Sequence, residues 1–135
     1  MKENINKLGI FCDLSENSGL GHLNRMINLS NEFKKNKYKA YFIFNKKEKN
    51  FINKYSLNIN KLFIDINLSN VHNIAKQLNN INIKIIIMDS YKLDYKFEKK
   101  LKKYYFFIVS IDDHFKKHNS NLVFTNRIKQ KKTPG

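Results

Sequence analysis

Short apolar runs alternate along this chain with stretches whose residues repeat at helical spacing. Six runs have the length and the branched or aromatic composition of β-strands: residues 8–13, 39–44, 61–66, 84–89, 106–111 and 121–124. The run 84–89 is apolar on both faces, as expected of a central parallel strand. Strands that alternate with helices predict an α/β fold, in which a mostly parallel sheet carries helices on both faces through right-handed crossovers.

Helical spacing appears in three segments between the predicted strands, and a charged, helical link is predicted over 46–55. Within each segment a set of residues shares one face of the helix. The three sets are Leu23, Met26, Ile27, Ser30 and Phe33; Val71, Ile74, Ala75, Leu78 and Ile81 within 69–81; and Leu93, Phe97, Leu101 and Tyr104. In the last segment Glu98 and Lys102 are spaced as an i,i+4 ion pair. These helices would cover the sheet.

A glycine-bearing segment follows the first strand, which Asp13 closes, and leads into the first helix. It reads Gly19-Leu20-Gly21-His22-Leu23-Asn24-Arg25. Free N–H groups at a helix start, together with the helix dipole, favour an anion, and His22 adds a titratable group there. The dinucleotide pattern G-x-G-x-x-G is not met, because position 24 is Asn, and no phosphate-binding G-x-x-x-x-G-K-[ST] occurs. The alternative is that the glycines only permit a turn and His22 is a surface residue.

Polar residues gather where a parallel sheet of this kind binds ligands. The acids that follow strands are Asp13, Asp89, Asp112 and Asp113, and the same edge is expected to hold His22, Tyr91, His114 and Asn126. Each acid alone is explained by a helix cap or a turn. Their common position at the carboxyl edge favours a binding site. No spacing of these residues demands a metal, and neither a metal nor a cofactor is predicted.

Length and composition indicate one domain. We expect a globular domain over 1–127 and a polar tail, or the start of a linker, over 128–135. No apolar run approaches the roughly 18 residues that span a bilayer, and the N-terminus lacks the apolar stretch of a secretory signal. The single cysteine, Cys12, excludes an internal disulfide and is expected to be a buried small residue. A cytoplasmic location is the simplest expectation.

The formal net charge of +15 raises the question of nucleic-acid binding. Only Arg25 and Arg127 are arginines, and the lysines are scattered through every segment. Base readout and stacking favour arginine, so we predict no specific nucleic-acid partner. The charge would still favour anionic ligands and raise their encounter rate.

The combined motifs resemble one family. They are Cys12-Asp13, Ser18-Gly19-Leu20-Gly21-His22-Leu23-Asn24-Arg25, Asp89-Ser90-Tyr91, Asp112-Asp113 and Asn126. Together they resemble the N-terminal domain of the UDP-2,4-diacetamido-2,4,6-trideoxy-β-L-altropyranose hydrolases of pseudaminic acid biosynthesis. Those enzymes are similar to GT-B glycosyltransferases, with two Rossmann-like domains and a cleft between them. The resemblance covers nearly this whole chain and about the first half of a typical member.

The resemblance implies a Rossmann-like three-layer domain, the N-terminal half of a GT-B-like architecture, and a set of functional residues. His22 matches the family's proposed catalytic histidine, and Asp13 matches the acid that closes the first strand. We expect His22 to be the base for water and Asp13 to orient the ring or the water. The residues implied to bind the UDP-activated amino-sugar are Gly19, Gly21, Arg25, Asp89, Tyr91, Asp112, Asp113 and Asn126. Many members have arginine where this chain has Phe11, and an asparagine pair where it has Asn126 alone.

The implied reaction breaks the bond between the anomeric carbon and the diphosphate and releases UDP and the free sugar. In the family a second Rossmann-like domain holds most of the nucleotide, so the implied partner is such a domain, possibly on another chain. Two alternatives stay open at this point. One is the acceptor-side domain of a GT-B glycosyltransferase, and the other is an inactive, truncated binding module.

Overall fold

The fold is taken from a computed structural model that describes residues 6–12, 21–55, 57–89, 95–111, 118 and 120–124. The strands are β1 (Asn6–Cys12), β2 (Tyr38–Asn45), β3 (Asn60–Ile64), β4 (Ile83–Asp89), β5 (Phe107–Ile111) and β6 (Leu122–Phe124). The α-helices are α1 (Gly21–Lys35), α2 (Lys49–Asn53), α3 (Val71–Asn80) and α4 (Tyr95–Lys102). Short 3₁₀ turns at Lys46–Glu48 and Leu68–Asn70 precede α2 and α3.

All six described strands form one sheet in the order β3-β2-β1-β4-β5-β6, and every pairing among them is parallel. The prediction of an α/β, Rossmann-like three-layer domain is therefore confirmed. The order reverses direction between β1 and β4, because the chain moves from β1 towards β2 and β3 and later from β4 towards β5 and β6. In open α/β sheets this reversal opens a crevice at the carboxyl ends of the two central strands.

Two separate cores lie on the two faces of the sheet. On one face the helix residues Leu23, Met26 and Ile52, from α1 and α2, pack with residues of β1, β2 and β4. On the other face α3 and α4 contribute Val71, Ile74, Ala75, Leu78, Phe97 and Leu101. Right-handed crossovers produce this division, since the two directions of chain travel place the helices on opposite faces.

The element boundaries differ from the predicted ones mainly at turns. Strand β3 ends at Ile64 and not at residue 66 as predicted. The backbone carbonyl of Ile66 accepts a hydrogen bond from Asn45 Nδ2 at 3.3 Å. The segment predicted as one helix over 69–81 begins as a 3₁₀ turn, with Asn67 Oδ1 accepting from the Ser69 amide at 2.9 Å, and becomes α3 at Val71. Side-chain hydrogen bonds to the backbone therefore move these boundaries.

Left-handed residues end three of the helices. Lys37, Asn82 and Tyr105, with φ of 67°, 64° and 68°, lie between α1 and β2, α3 and β4, and α4 and β5. Glycine is the usual residue at such positions, and asparagine is the next best tolerated. Lysine and tyrosine adopt this conformation at a cost of about 1–2 kcal/mol each, which the surrounding packing must offset.

Among the described residues, no helix is both long and apolar enough to cross a membrane.

Candidate functional site

The candidate site lies where the sheet reverses direction. Strands β1 and β4 are neighbours, and their last residues, Cys12 and Asp89, are paired in the parallel register. Because the strands are parallel, both end at the carboxyl edge, and α1 begins at Gly21 after the chain has left β1 there. Cys12 is buried, as predicted.

An ion pair connects the glycine motif to the end of β4. Arg25 Nη2, in the second turn of α1, lies 3.5 Å from Asp89 Oδ2. The Asp89 side chain is only 3% exposed, whereas the Arg25 side chain is 42% exposed. The carboxylate is thus almost fully covered, and the guanidinium it contacts still reaches solvent. Such an arrangement fixes the orientation of a planar cation that still reaches solvent.

The charge distribution along α1 favours an anion at its start. The first turn contains no acidic residue, and the last turn contains Lys34 and Lys35. Backbone N–H groups of the first turn have no intrahelical partner, and the positive end of the helix dipole points the same way. The Arg25 guanidinium adds a full positive charge within about one turn of that end.

The structure describes only some of the expected site residues. It brings Arg25 and Asp89 together, and it puts the backbone of Gly21 and His22 in the first turn of α1. The side chain of His22 is not among the described ones. The other expected residues lie outside the described part of the chain: Asp13, Gly19, Tyr91, Asp112, Asp113 and Asn126, and likewise His114. Their roles, and the domain boundary at 127, stay predictions.

A second polar cluster, which the sequence analysis did not identify, lies inside the molecule beside β5. Glu98 of α4 is fully buried, and its Oε2 accepts a hydrogen bond from Ser110 Oγ at 2.7 Å and lies 2.8 Å from His118 Nδ1. Ser110 is also fully buried, and the His118 side chain is 5% exposed. Glu98 was expected to face Lys102 as an i,i+4 pair, but its carboxylate turns inward. A serine in the middle of the apolar run of β5 was the available signal, because a buried hydroxyl requires a partner.

The arrangement of this cluster is structural rather than that of a hydrolytic triad. Ser110 and His118 both approach the same oxygen of Glu98, so the acid lies between them. In a serine-histidine-acid triad the histidine lies between the nucleophile and the acid. The contacts instead attach α4 to Ser110 of β5 and to His118, which lies before β6 in the sequence. Asn121 reinforces this attachment, since its Oδ1 accepts from the Ile108 amide at 2.9 Å and its own amide donates to the Ile108 carbonyl at 2.8 Å.

In the described ranges, no group of three or more His, Cys, Asp or Glu side chains is placed to hold a metal ion.

Comparison with known proteins gives one weak likeness. No protein-family model matches the chain. The chain is similar to the uncharacterized protein MJ1062 of Methanocaldococcus jannaschii, with 29% identity over 97 residues. That alignment covers 72% of this chain and 19% of the relative, so this chain matches about a fifth of the relative's length. The likeness brings no activity to this chain.

The Arg25–Asp89 pair should couple the two residues energetically. We expect Asp89→Asn and Arg25→Gln each to lower the free energy of unfolding, with the double variant losing less than the sum. Because Arg25 is partly exposed, the coupling should be about 0.5–1 kcal/mol. Urea denaturation of the four proteins measures it. Strict additivity of the two single changes would contradict the pairing.

Replacing the buried carboxyl group of Glu98 should destabilise the chain far more than replacing an exposed one. We expect Glu98→Gln to lower the free energy of unfolding by about 2 kcal/mol, because it weakens the hydrogen bonds from Ser110 and His118. Glu32→Gln is the matched control: the Glu32 side chain is 66% exposed, and its change should stay within about 0.5 kcal/mol. Equal, small effects in urea denaturation would show that the inward contacts of Glu98 contribute little.

Proposed function

We propose that this chain is the N-terminal domain of a nucleotide-sugar hydrolase, which cleaves the anomeric bond of a UDP-diacetamido-trideoxy sugar and releases UDP and free sugar. The observation that carries the proposal is the Arg25–Asp89 ion pair at the carboxyl edge. It joins the helix that follows the G-x-G-H motif to the end of the neighbouring central strand. A diphosphate at the start of α1 would meet free N–H groups, the helix dipole and the exposed side of the guanidinium.

The proposed roles of Arg25 and Asp89 follow from their different exposure. Arg25 contacts the diphosphate of the substrate, since its side chain reaches solvent beside the helix start. Asp89 acts through Arg25, because a carboxylate that is 3% exposed and faces a guanidinium is better placed to orient that group than to bind a sugar hydroxyl. Gly19 and Gly21 are proposed to let the backbone approach the phosphates. Tyr91, Asp112, Asp113 and Asn126 are proposed to bind the sugar.

In the proposed reaction, His22 is the general base and Asp13 orients its ring or the water. Neutral imidazole takes a proton from water while the water oxygen attacks the anomeric carbon, and the bond from that carbon to the diphosphate oxygen breaks. The departing diphosphate carries the negative charge, which the start of α1 and Arg25 stabilise. The positive end of the helix dipole disfavours imidazolium and so keeps His22 able to accept a proton.

The proposed partner is a second Rossmann-like domain, possibly on another chain, that closes over the carboxyl edge and excludes bulk water. We propose the cytoplasm as the compartment, in keeping with a chain whose one cysteine cannot form an internal disulfide.

A UDP-release assay on the purified chain tests the proposal. The substrates are UDP-2,4-diacetamido-2,4,6-trideoxy-β-L-altropyranose and UDP-N-acetylglucosamine in parallel. We expect release from the first only, and a loss of about 100-fold or more in His22→Ala, which is the usual contribution of a general base.

His72→Ala provides the matched histidine control. His72 is exposed on α3, with Nδ1 3.3 Å from Tyr104 Oη, and α3 packs on the face of the sheet opposite α1, so its removal should leave the rate unchanged. Equal losses in the two variants would contradict the role of His22. No release by the unaltered chain would mean that turnover needs the second domain or that the chain is an inactive, truncated module. Release that needs an added acceptor sugar would indicate a glycosyltransferase.

A further inference from the structure

The two faces of the sheet are covered unequally by the described helices. Helices α3 and α4 lie on the face that holds Ile86 and Ile108, whereas on the opposite face the buried cluster under α1 and α2 reaches Ile87, and Ile85, Val109 and Ile111 beside it are only partly buried. The register places Ile85 beside Phe107, and Val109 between Ile87 and Leu122, on that second face. Phe107 is 44% and Leu122 48% exposed. Parallel sheets are normally buried on both faces, so the partly buried and exposed residues here form an apolar surface that requires a cover.

The uncovered surface forms a groove of about 830 Å³ beside α1. Its floor consists of Ile85, Ile87, Val109 and Ile111. One wall is the side of α1, which contributes Leu29 and Phe33 among others. Strands β4, β5 and β6 span about 10 Å at a spacing of roughly 4.8 Å, which is close to the diameter of one α-helix with its side chains. The shape therefore fits a helix lying next to α1.

Positive charge marks one end of this groove. Tyr38, at the start of β2, lines both the groove and a second depression of about 440 Å³, and that depression is also lined by Lys34, Lys37 and Lys39. Lys34 lies in the last turn of α1, and Lys37 and Lys39 follow that helix, so the three lysines lie at the amino end of the strands, away from the carboxyl edge. A helix in the groove would place one of its ends near them, and acidic side chains there would be favoured.

We propose that this groove binds an amphipathic α-helix of a partner protein, with aliphatic residues on its sheet-facing side and acidic residues at the end nearest the lysines. Residues 125–135 do not suit the role, because they contain one aliphatic residue, Ile128, and four basic ones. A second copy of the chain suits it poorly as well, because two chains that each carry a net charge of +15 repel one another. Arg25 and Glu32 also line this groove, so the groove and the proposed phosphate site share Arg25, although helix binding does not require hydrolysis.

Binding of a synthetic peptide to the full chain tests the inference. The probe is a labelled 18-residue peptide with leucines spaced three and four apart and glutamates on the other face and at one end. We expect saturable binding by fluorescence anisotropy that weakens as salt is raised. A peptide of the same composition in scrambled order should not bind.

Two valines provide a matched pair of variants. Val109→Glu places a charge on the groove floor and should weaken binding about tenfold or more, because it removes one apolar side chain from the contact. Val123 is 51% exposed, and its register partner, Ser110, faces α4 on the opposite side of the sheet. Val123→Glu should therefore leave binding unchanged. Circular dichroism checks that both variants are folded.

The lysines are tested with a second probe. Replacing Lys34, Lys37 and Lys39 together with glutamine should weaken binding of the glutamate peptide but not of a peptide in which glutamine replaces glutamate.

Three results would overturn the inference. They are no binding of the glutamate peptide, equal losses in Val109→Glu and Val123→Glu, and a dimer in sedimentation that Val109→Glu dissociates, which would make the occupant a second copy of the chain.

Discussion

The reversal of strand order between β1 and β4 is the constraint on which the rest of this structure depends. Because all described strands are parallel, their carboxyl ends lie at one edge. Because the chain travels in opposite directions from the two central strands, the helices that follow them lie on opposite faces, and a crevice opens between. The Arg25–Asp89 pair connects the start of one crossover to the end of the neighbouring strand at this edge.

The same topology explains why the molecule has two distinct surfaces. The carboxyl edge is polar, with the start of α1 and a half-exposed guanidinium. The groove over β4 and β5 has an aliphatic floor, because α1 and α2, the helices on that face, follow strands in the other half of the sheet. The Glu98, Ser110 and His118 cluster serves neither surface directly. It attaches α4 to the outer strands and so helps to hold the floor of the groove in place.

The architecture was predictable from the sequence because strand and helix periods alternate cleanly, and the run 84–89 indicated a central strand. Helix ends were less predictable: with few glycines in the chain, Lys37 and Tyr105 adopt left-handed conformations that only tertiary packing can impose. Arg25 and Asp89 were both expected to bind the substrate, but their direct contact depends on how α1 lies against β4. The inward turn of Glu98 depends on Ser110 and His118, which are distant from it in sequence, and helical spacing alone predicted an outward pair.

The central claim is that an anionic nucleotide binds at the start of α1, beside the Arg25–Asp89 pair. Titration of the isotopically labelled chain with UDP, followed by amide NMR, tests this claim without requiring turnover. The account predicts saturable shifts concentrated at the amides from Gly21 to Arg25 and at Asp89, and their loss in Arg25→Gln. Shifts centred instead on Lys34, Lys37 and Lys39, or none at millimolar UDP, would contradict it.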